Sequence, residues 1–413
     1  MTRNRVKSID LFAGCGGLMD GFEQSEKYRT IAAVEWEKAP AHNLAKRLRD
    51  KWNYDDAELR TLRFDIQRTD ELFCGWTDDP IYGDSVGLDD LIKKEEGIDI
   101  IIGGPPCQAY SMAGRVRDEN GMKDDYRNYL FESYLKVVKR YAPKAFIFEN
   151  VPGILSAKPG ERKIIDIIHE EFEEAGYSIL AKLENAILDT SEFGVPQKRK
   201  RIIIFGVSKT YYGEEESRRL VEKFYFEDLP KQKVDKKVTV KEAIGDLPCL
   251  YPLMFETVVN GKKISHSLGN EDLNHHFPRF HSKRDIEIFR LLAEDIESGR
   301  NEYTSAEALK RLYTEKTGKT SNVHKYHVIR WDEQSNLIPA HLYKDGLRHI
   351  HPDPNQGRSI TVREAARLQT FDDDYIFDCS ANDAYKMIGN AVPPLFSKKL
   401  AEAVYETLFR GDV

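Results

Sequence analysis

A cysteine stands at the end of the run Ile100-Ile101-Ile102-Gly103-Gly104-Pro105-Pro106-Cys107-Gln108, where an apolar strand passes through two glycines and two prolines to reach the thiol. The glycines let the backbone turn tightly and come close to a ligand, and the prolines fix φ and stiffen the chain beside the thiol. A thiol presented this way is a candidate nucleophile; the competing reading is a buried core cysteine, the commoner fate of a free thiol. A carboxylate arrives in the same manner, because Ala145-Phe146-Ile147-Phe148 delivers Glu149-Asn150-Val151-Pro152-Gly153. Open α/β sheets bind ligands outside the carboxyl ends of their strands, so Cys107 and Glu149 can face one pocket. Otherwise Glu149 caps a helix. The third group is Gln197-Lys198-Arg199-Lys200-Arg201, fused to the apolar strand Ile202-Ile203-Ile204-Phe205. If that strand begins near Gln197, its period of two puts Gln197, Arg199 and Arg201 on one face and Lys198 and Lys200 on the other.

These side chains need a sheet to position them. Residues 6–12 read as its first strand, and Ala13-Gly14-Cys15-Gly16-Gly17 turns that strand into a helix carrying Leu18, Met19 and Phe22. Gly14 and Gly16 let a nucleotide-like ligand approach the backbone and the helix amino end, although one tight turn explains them equally well. The second strand, Ile31-Ala32-Ala33-Val34, ends in Glu35, placed to accept bonds from ribose hydroxyls. Trp36 offers a flat face for adenine, or packs on its own helix. Asp65, after a third short apolar stretch, can read the adenine amino group. The loop lacks the Gly-Lys-Ser/Thr ending that grips triphosphates, so the ligand is an adenosine without a phosphate chain, and S-adenosylmethionine fits.

At 413 residues the chain suits one large core with a second lobe. Residues 1–207 with 358–413 form the expected catalytic and cofactor-binding domain, and residues 208–357, where β-α alternation gives way to long charged helices, the second. No segment approaches the apolar span of roughly 20 residues that a membrane helix requires, and the amino terminus carries no signal h-region, which points to a soluble cytoplasmic protein. The five scattered cysteines form no Cys-x-x-Cys pair, which argues against a disulfide framework and a zinc site. A net charge of -7 confines any nucleic-acid surface to a local patch. Between Ser111 and Asn128 lies a polar, glycine-containing stretch suited to a lid. The amphipathic pattern after it, through Leu130, Tyr134, Leu135, Val138 and Tyr141, predicts a helix. Thr361-Val362-Arg363-Glu364 is a capping box, and Gly389-Asn390-Ala391-Val392-Pro393-Pro394 leads into a last helix that must pack on something large.

Taken in order, Asp10-Leu11-Phe12-Ala13-Gly14-Cys15-Gly16-Gly17, Gly104-Pro105-Pro106-Cys107-Gln108, Glu149-Asn150-Val151, Gln197-x-Arg199-x-Arg201, Arg363-Glu364-Ala365-Ala366-Arg367-Leu368-Gln369 and Gly389-Asn390-Ala391-Val392-Pro393 resemble the ordered motifs of the DNA (cytosine-5) methyltransferases. The resemblance implies an α/β fold: a doubly wound, Rossmann-like S-adenosylmethionine-dependent methyltransferase sheet with a second, smaller target-recognition domain. It implies a Cys107 thiolate that adds to cytosine C6, Glu149 at N3, Arg201 at O2 with Arg199 beside it, and a base flipped out of the duplex. It places Phe12, Glu35, Asp65, Ile66 and Pro105 around the cofactor, with Leu130, Asn390 and Trp36 as further candidates, and it requires no metal. S-adenosyl-L-homocysteine would be the product. Gln108, Ser111 and Gln197 become candidates for DNA contact, as do Lys325, Arg330, Lys344 and Arg348 of the second domain. The partners implied are double-stranded DNA and a cognate restriction endonuclease acting separately, and the chain looks like a compact prokaryotic modification enzyme working as a monomer. One departure is that Leu337 stands where recognition domains of similar enzymes carry a threonine.

Two other readings compete. An RNA cytosine-5 methyltransferase would use the same scaffold, but the Cys-Phe-Thr tripeptide of the tRNA-modifying relatives is absent. A non-catalytic DNA-binding module of this fold would have no need of Cys107, Glu149 and Arg201 together.

Overall fold

The apolar runs around residues 100 and 145 lie at the middle of the sheet, as continuous hydrophobic strands buried on both faces should. The protein is described from a computed structural model, which covers residues 5–106, 130–158, 162–259, 261–269, 273–344 and 346–411. Its described residues fall into two compact units, one of residues up to 194 with 199–235 and 391–413, the other of residues 195–198 and 236–390.

In the first unit the chain forms β1 (Val6–Leu11), β2 (Tyr28–Glu35), β3 (Thr61–Arg63), a small hairpin of β4 (Trp76–Asp79) and β5 (Gly83–Ser85), then β6 (Ile100–Gly103), β7 (Ala145–Asn150), β8 (Tyr177–Ser178), β9 (Ile187–Asp189) and β10 (Lys200–Ser208). All except the hairpin join one eight-stranded sheet in the order β3-β2-β1-β6-β7-β10-β8, with β9 paired to β10. The β1–β2, β2–β3, β1–β6 and β6–β7 pairs are parallel, and β10 runs antiparallel to its neighbours. This is the doubly wound sheet expected from the sequence. Order reverses between β1 and β6, and their register aligns Leu11 with Gly103 and Gly103 with Phe148. Phe12, Gly104 and Glu149 therefore emerge together at the carboxyl edge of the switch point, where such sheets bind ligands.

Helices fix that edge. Helix α1 (Gly17–Gln24) comes directly after the glycine loop, and its buried Asp20 accepts from Arg47 Nε (2.6 Å) on α2 (Lys38–Asp50) and from Trp52 Nε1 (2.8 Å). Breaking so buried an ion pair costs about 3–5 kcal/mol. The last helix, Pro394–Leu408, returns to this unit as expected and packs on α1. A Cβ on Gly21 would sit 2.3 Å from Pro394 O, so only glycine allows this approach, and Tyr28 Oη ties β2 to Ala401 O at 2.9 Å. On the opposite face the helix Leu130–Tyr141 presents buried Tyr134, whose hydroxyl donates to Ile147 O (2.9 Å).

The compact units divide elsewhere than at the composition shifts near 208 and 357. Charged as they are, residues 209–235 stay with the first unit because Leu220, Val221 and Phe224 are buried there and Tyr225 Oη donates to Ile203 O (2.6 Å) of β10. Residues 358–390 go with the second unit, where Arg358 grips Glu364 through two hydrogen bonds of 2.7 Å each.

The second unit holds the hairpin β11 (Pro252–Val259) and β12 (Lys262–His266) and the helices Lys283–Glu297, Ala306–Thr317, Val362–Leu368 and Ala381–Asn390. Its apolar core gathers Ile288, Phe289, Leu292, Tyr326, Val328 and Ile350. The Thr361–Glu364 capping box forms as expected. The unit also buries histidines in neutral form: desolvation lowers His266 and His275 to about 4, and His281, His349 and His351 to about 3. Between those values and the ordinary 6.5 the unfolded chain binds protons that the folded one refuses. Stability is then complete above pH 6.5 and lost as the pH falls from there toward 3, by at most about 1.4 kcal/mol per histidine per pH unit. The urea midpoint of the intact protein, measured from pH 7.5 to 5, is expected to fall steeply below 6.5; a flat profile would contradict this.

Candidate functional site

The glycine loop is built for a close-approaching ligand. Phe12 adopts φ 58°, a left-handed conformation that a bulky residue keeps only when its surroundings impose it. Gly14 and Gly16 take φ 56° and 86°, and the Gly14 N–H donates to Glu35 Oε2 (2.8 Å) while the Glu37 N–H donates to Glu35 Oε1 (2.7 Å). The Glu35 carboxylate is thus clamped across the end of β2 beside the loop. Burial raises its pKa to about 7, against those backbone bonds that favour the charged form. Hydroxyl donors from a ribose would further favour its ionised form. Beneath the loop, buried Asp10 accepts from the Met19 N–H (3.2 Å) and caps α1; burial raises its pKa well above the ordinary value. Asp65 accepts from the Gln67 N–H (3.0 Å) just past β3, with Ile66 buried next to it. Acids at three neighbouring strand ends repel a polyphosphate and suit hydroxyl, amino and cationic groups. The residues present therefore fit S-adenosylmethionine. Trp36 is 49% exposed; Pro105 and Leu130 are buried in the same unit.

The second half of the site lies where β7 meets β10. Antiparallel pairing sets Ile203 opposite Glu149, so Arg201, two residues along, shares the Glu149 face. Arg201 Nε lies 2.8 Å from Glu149 Oε1. Gly104 makes room for the carboxylate, since a Cβ there would lie 2.7 Å from Glu149 Oε2. Arg199 is buried nearby; desolvation and then the Arg201 charge push it well below its ordinary value, and Glu149 opposes them. Burial also lowers Arg201, again against Glu149. Guanidiniums stay charged in proteins, so both arginines remain cationic beside Glu149. The pocket wall keeps an excess positive charge, suited to an oxygen that becomes negative during reaction.

Sequence reasoning missed Asn150. Its Nδ2 donates to Pro105 O (3.2 Å) and its Oδ1 accepts from the Val151 N–H (2.8 Å), so it ties the Gly104-Pro105-Pro106 loop to the end of β7. The signal was an amide beside a strand-end carboxylate, able to bridge two loops. Tyr134, read only as part of an apolar stripe, also turns out to be a clamp between sheet and helix.

Other candidates fall elsewhere. Cys107, Gln108, Ser111 and the expected lid of residues 111–128 lie outside the described residues. Gln197 and Arg199 are not on the strand of Arg201: β10 begins at Lys200, and residues 195–198 belong to the second unit, where Gln197 bridges to Ser335. Its side chain is fully buried, donating to Gln369 Oε1 and accepting from the Ile338 N–H (3.0 Å), so the amide is engaged in packing. Asn390 ends the helix Ala381–Asn390 of that unit with its side chain exposed. Lys344 and Arg348 are exposed there too, whereas Lys325 and Arg330 are half-buried and Arg330 lies 3.8 Å from Glu333. No described helix is long and apolar enough to cross a membrane.

The model of the C-5 cytosine-specific DNA methylase family matches residues 6–406. The Type II methyltransferase M.Bpa9945I of Bacillus paralicheniformis is 34% identical over 97% of this chain and 98% of that protein. M.DdeI of Desulfomicrobium norvegicum, another Type II methyltransferase, is 30% identical over 96% and 88%. Among solved structures, a DNA modification methyltransferase encoded within an Escherichia coli prophage aligns over 98% of this chain and 99% of its own at a TM-score of 0.60 and 23% identity, a likeness of fold. The family match runs from the strand that opens the sheet to the helix that returns to it, taking in the glycine loop and the Glu149–Arg201 wall, and on that ground this chain belongs to the C-5 cytosine-specific DNA methylases and is a DNA cytosine-5 methyltransferase.

Proposed function

We propose that the protein transfers a methyl group from S-adenosylmethionine to C5 of a cytosine flipped out of double-stranded DNA, through a covalent bond between Cys107 and cytosine C6. The observation that carries this reading is the Glu149–Arg201 pair, lodged against Gly104 just ahead of the cysteine. Cytosine C5 is a poor nucleophile, and its edge is hidden in a duplex, so an enzyme must extrude the base and activate it. Addition of the Cys107 thiolate to C6 moves an electron pair toward C5. Glu149 hydrogen-bonds or protonates N3, and Arg201 holds the charge that grows on O2, with Arg199 reinforcing the field. S-adenosylmethionine, when bound, supplies a methyl group activated by its sulfonium. Glu35 holds the ribose hydroxyls, Asp65 the adenine amino group, and Phe12, Ile66 and Pro105 the apolar surface around them. Once C5 is methylated, a base takes the C5 proton, the C5–C6 double bond re-forms and the thiolate leaves.

We further infer that the region of residues 208–357 selects the DNA sequence. Exposed Lys344 and Arg348 suit phosphates, which position a protein on DNA, and exposed Leu337 suits an apolar base contact. Bisulfite sequencing of DNA from cells expressing the protein is expected to show protected cytosines in one short sequence context. DNA without protected cytosines, with methylation found in tRNA, would overturn the assignment of substrate.

A further inference from the structure

Between β3 and β6 the chain builds a hairpin that the functional reading leaves unused. Strands β4 and β5 pair Trp76 with Ser85 and Asp79 with Gly83, and the turn carries Ile81 and Tyr82. The hairpin is fastened to the residues on either side of Asp65. Phe64 stacks on Trp76 with ring centroids 3.9 Å apart, and the Tyr82 ring lies 5.0 Å from Phe64. Arg63 Nη1 donates to Ile81 O (3.0 Å), and its guanidinium covers the Tyr82 ring at 5.3 Å. Arg68 reaches Asp79 Oδ2 (2.6 Å) from the other side. Asp79 Oδ1 then accepts from the N–H groups of Ile81 and Tyr82 and sets the turn. A two-stranded hairpin is marginally stable alone, and the aromatic stack with the two arginines holds this one at the end of β3.

We propose that this hairpin is the outer wall of the adenosine end of the cofactor pocket, with the Tyr82 ring packing against the adenine. The proposal rests on the reading that Asp65 takes the adenine amino group. Tyr82 is half-buried beside that acid, and its hydroxyl pKa is raised by burial and then by the Asp65 charge. Trp36, just past the end of the neighbouring strand, is exposed, and Phe64 N–H donates to Glu35 O (3.1 Å), joining the ribose and adenine ends of the site. An aromatic side chain here adds affinity for the adenine without touching the reacting atoms, so Tyr82 is a cofactor-binding residue.

The test is calorimetric titration of the full-length protein with S-adenosylmethionine and S-adenosylhomocysteine, joined to steady-state kinetics on methylatable DNA. Tyr82→Ala should weaken both ligands about 3- to 10-fold, the scale of one aromatic contact, and raise KM for the methyl donor by the same factor with kcat unchanged. Tyr82→Phe should bind as the native protein does, and so should Ile81→Ala, a change at the exposed tip. In the unaltered protein, S-adenosylhomocysteine should protect Tyr82 from nitration by tetranitromethane, read by peptide mass spectrometry. If Asp65→Ala weakens binding while Tyr82→Ala does not and Tyr82 nitrates equally with and without ligand, the wall is elsewhere and this proposal fails alone. If Asp65→Ala also binds normally, the adenine reading of β3 fails, and the proposal with it.

Discussion

Replacing Cys107 with Ala is expected to abolish methyl transfer, by on the order of 10⁴-fold or more, the scale on which enzymes lose activity with their nucleophile. Cofactor binding should survive, because Glu35, Asp65 and the glycine loop stand on other strands of the sheet. Each half of this expectation has its own measurement: a methyl-transfer assay for the chemistry and calorimetric titration for the binding. No other residue type at this position supplies both a reactive lone pair near neutral pH and a competent leaving group, since a serine hydroxyl is a far weaker nucleophile and a poorer one to expel. Cys107→Ser should therefore resemble Cys107→Ala. Full activity in Cys107→Ala would end the covalent mechanism.

Glu149→Gln should carry the next largest effect. Glutamine keeps the shape that Gly104 accommodates and can still accept from Arg201 Nε, so the fold should persist. The amide cannot deliver a proton to N3, and the chemical step is expected to slow by about 10²-fold or more, the scale of single acid–base or oxyanion contacts. DNA affinity should change little. Single-turnover methylation with enzyme in excess isolates that step from binding and product release. An unchanged chemical rate together with a lowered unfolding midpoint would make Glu149 a structural partner of Arg201 and nothing more.

The readable parts of this site share one property. Glu35 and Glu149 each end an apolar run, and in a doubly wound sheet the ends of such runs lie at one edge. The parallel sheet follows from alternation of β and α patterns, and the last helix announces its return through an apolar face too wide to leave in water. Gln197 shows where that reasoning stops. After Gly194 the chain crosses into the second unit for four residues, 195–198, and comes back at Arg199. The crossing depends on Lys198 N–H donating to Ser335 O (2.8 Å) and Ser335 N–H to Pro196 O (2.9 Å), partners far away in sequence. A period-two pattern carries no trace of it. The compact units divide by burial, which composition does not record. Composition records which side chains suit water, while the unit to which residues 209–235 belong is decided by their few buried groups, Tyr225 above all. Asn150 and Tyr134 act through hydrogen bonds to main-chain carbonyls, which no residue type advertises.

The measurement that bears most directly on the account is trapping on DNA in which the target cytosine is 5-fluorocytosine. Fluorine at C5 cannot leave as a proton does, so a mechanism through C6 addition halts with enzyme and base joined. Incubation of the protein with S-adenosylmethionine and such a duplex, then denaturing electrophoresis and peptide mass spectrometry, is expected to give a stable protein–DNA adduct whose modified peptide carries the base on Cys107 and which Cys107→Ala does not form. Efficient methylation of ordinary cytosine with no adduct on the fluorinated base, or an adduct mapped to any other residue, would contradict it.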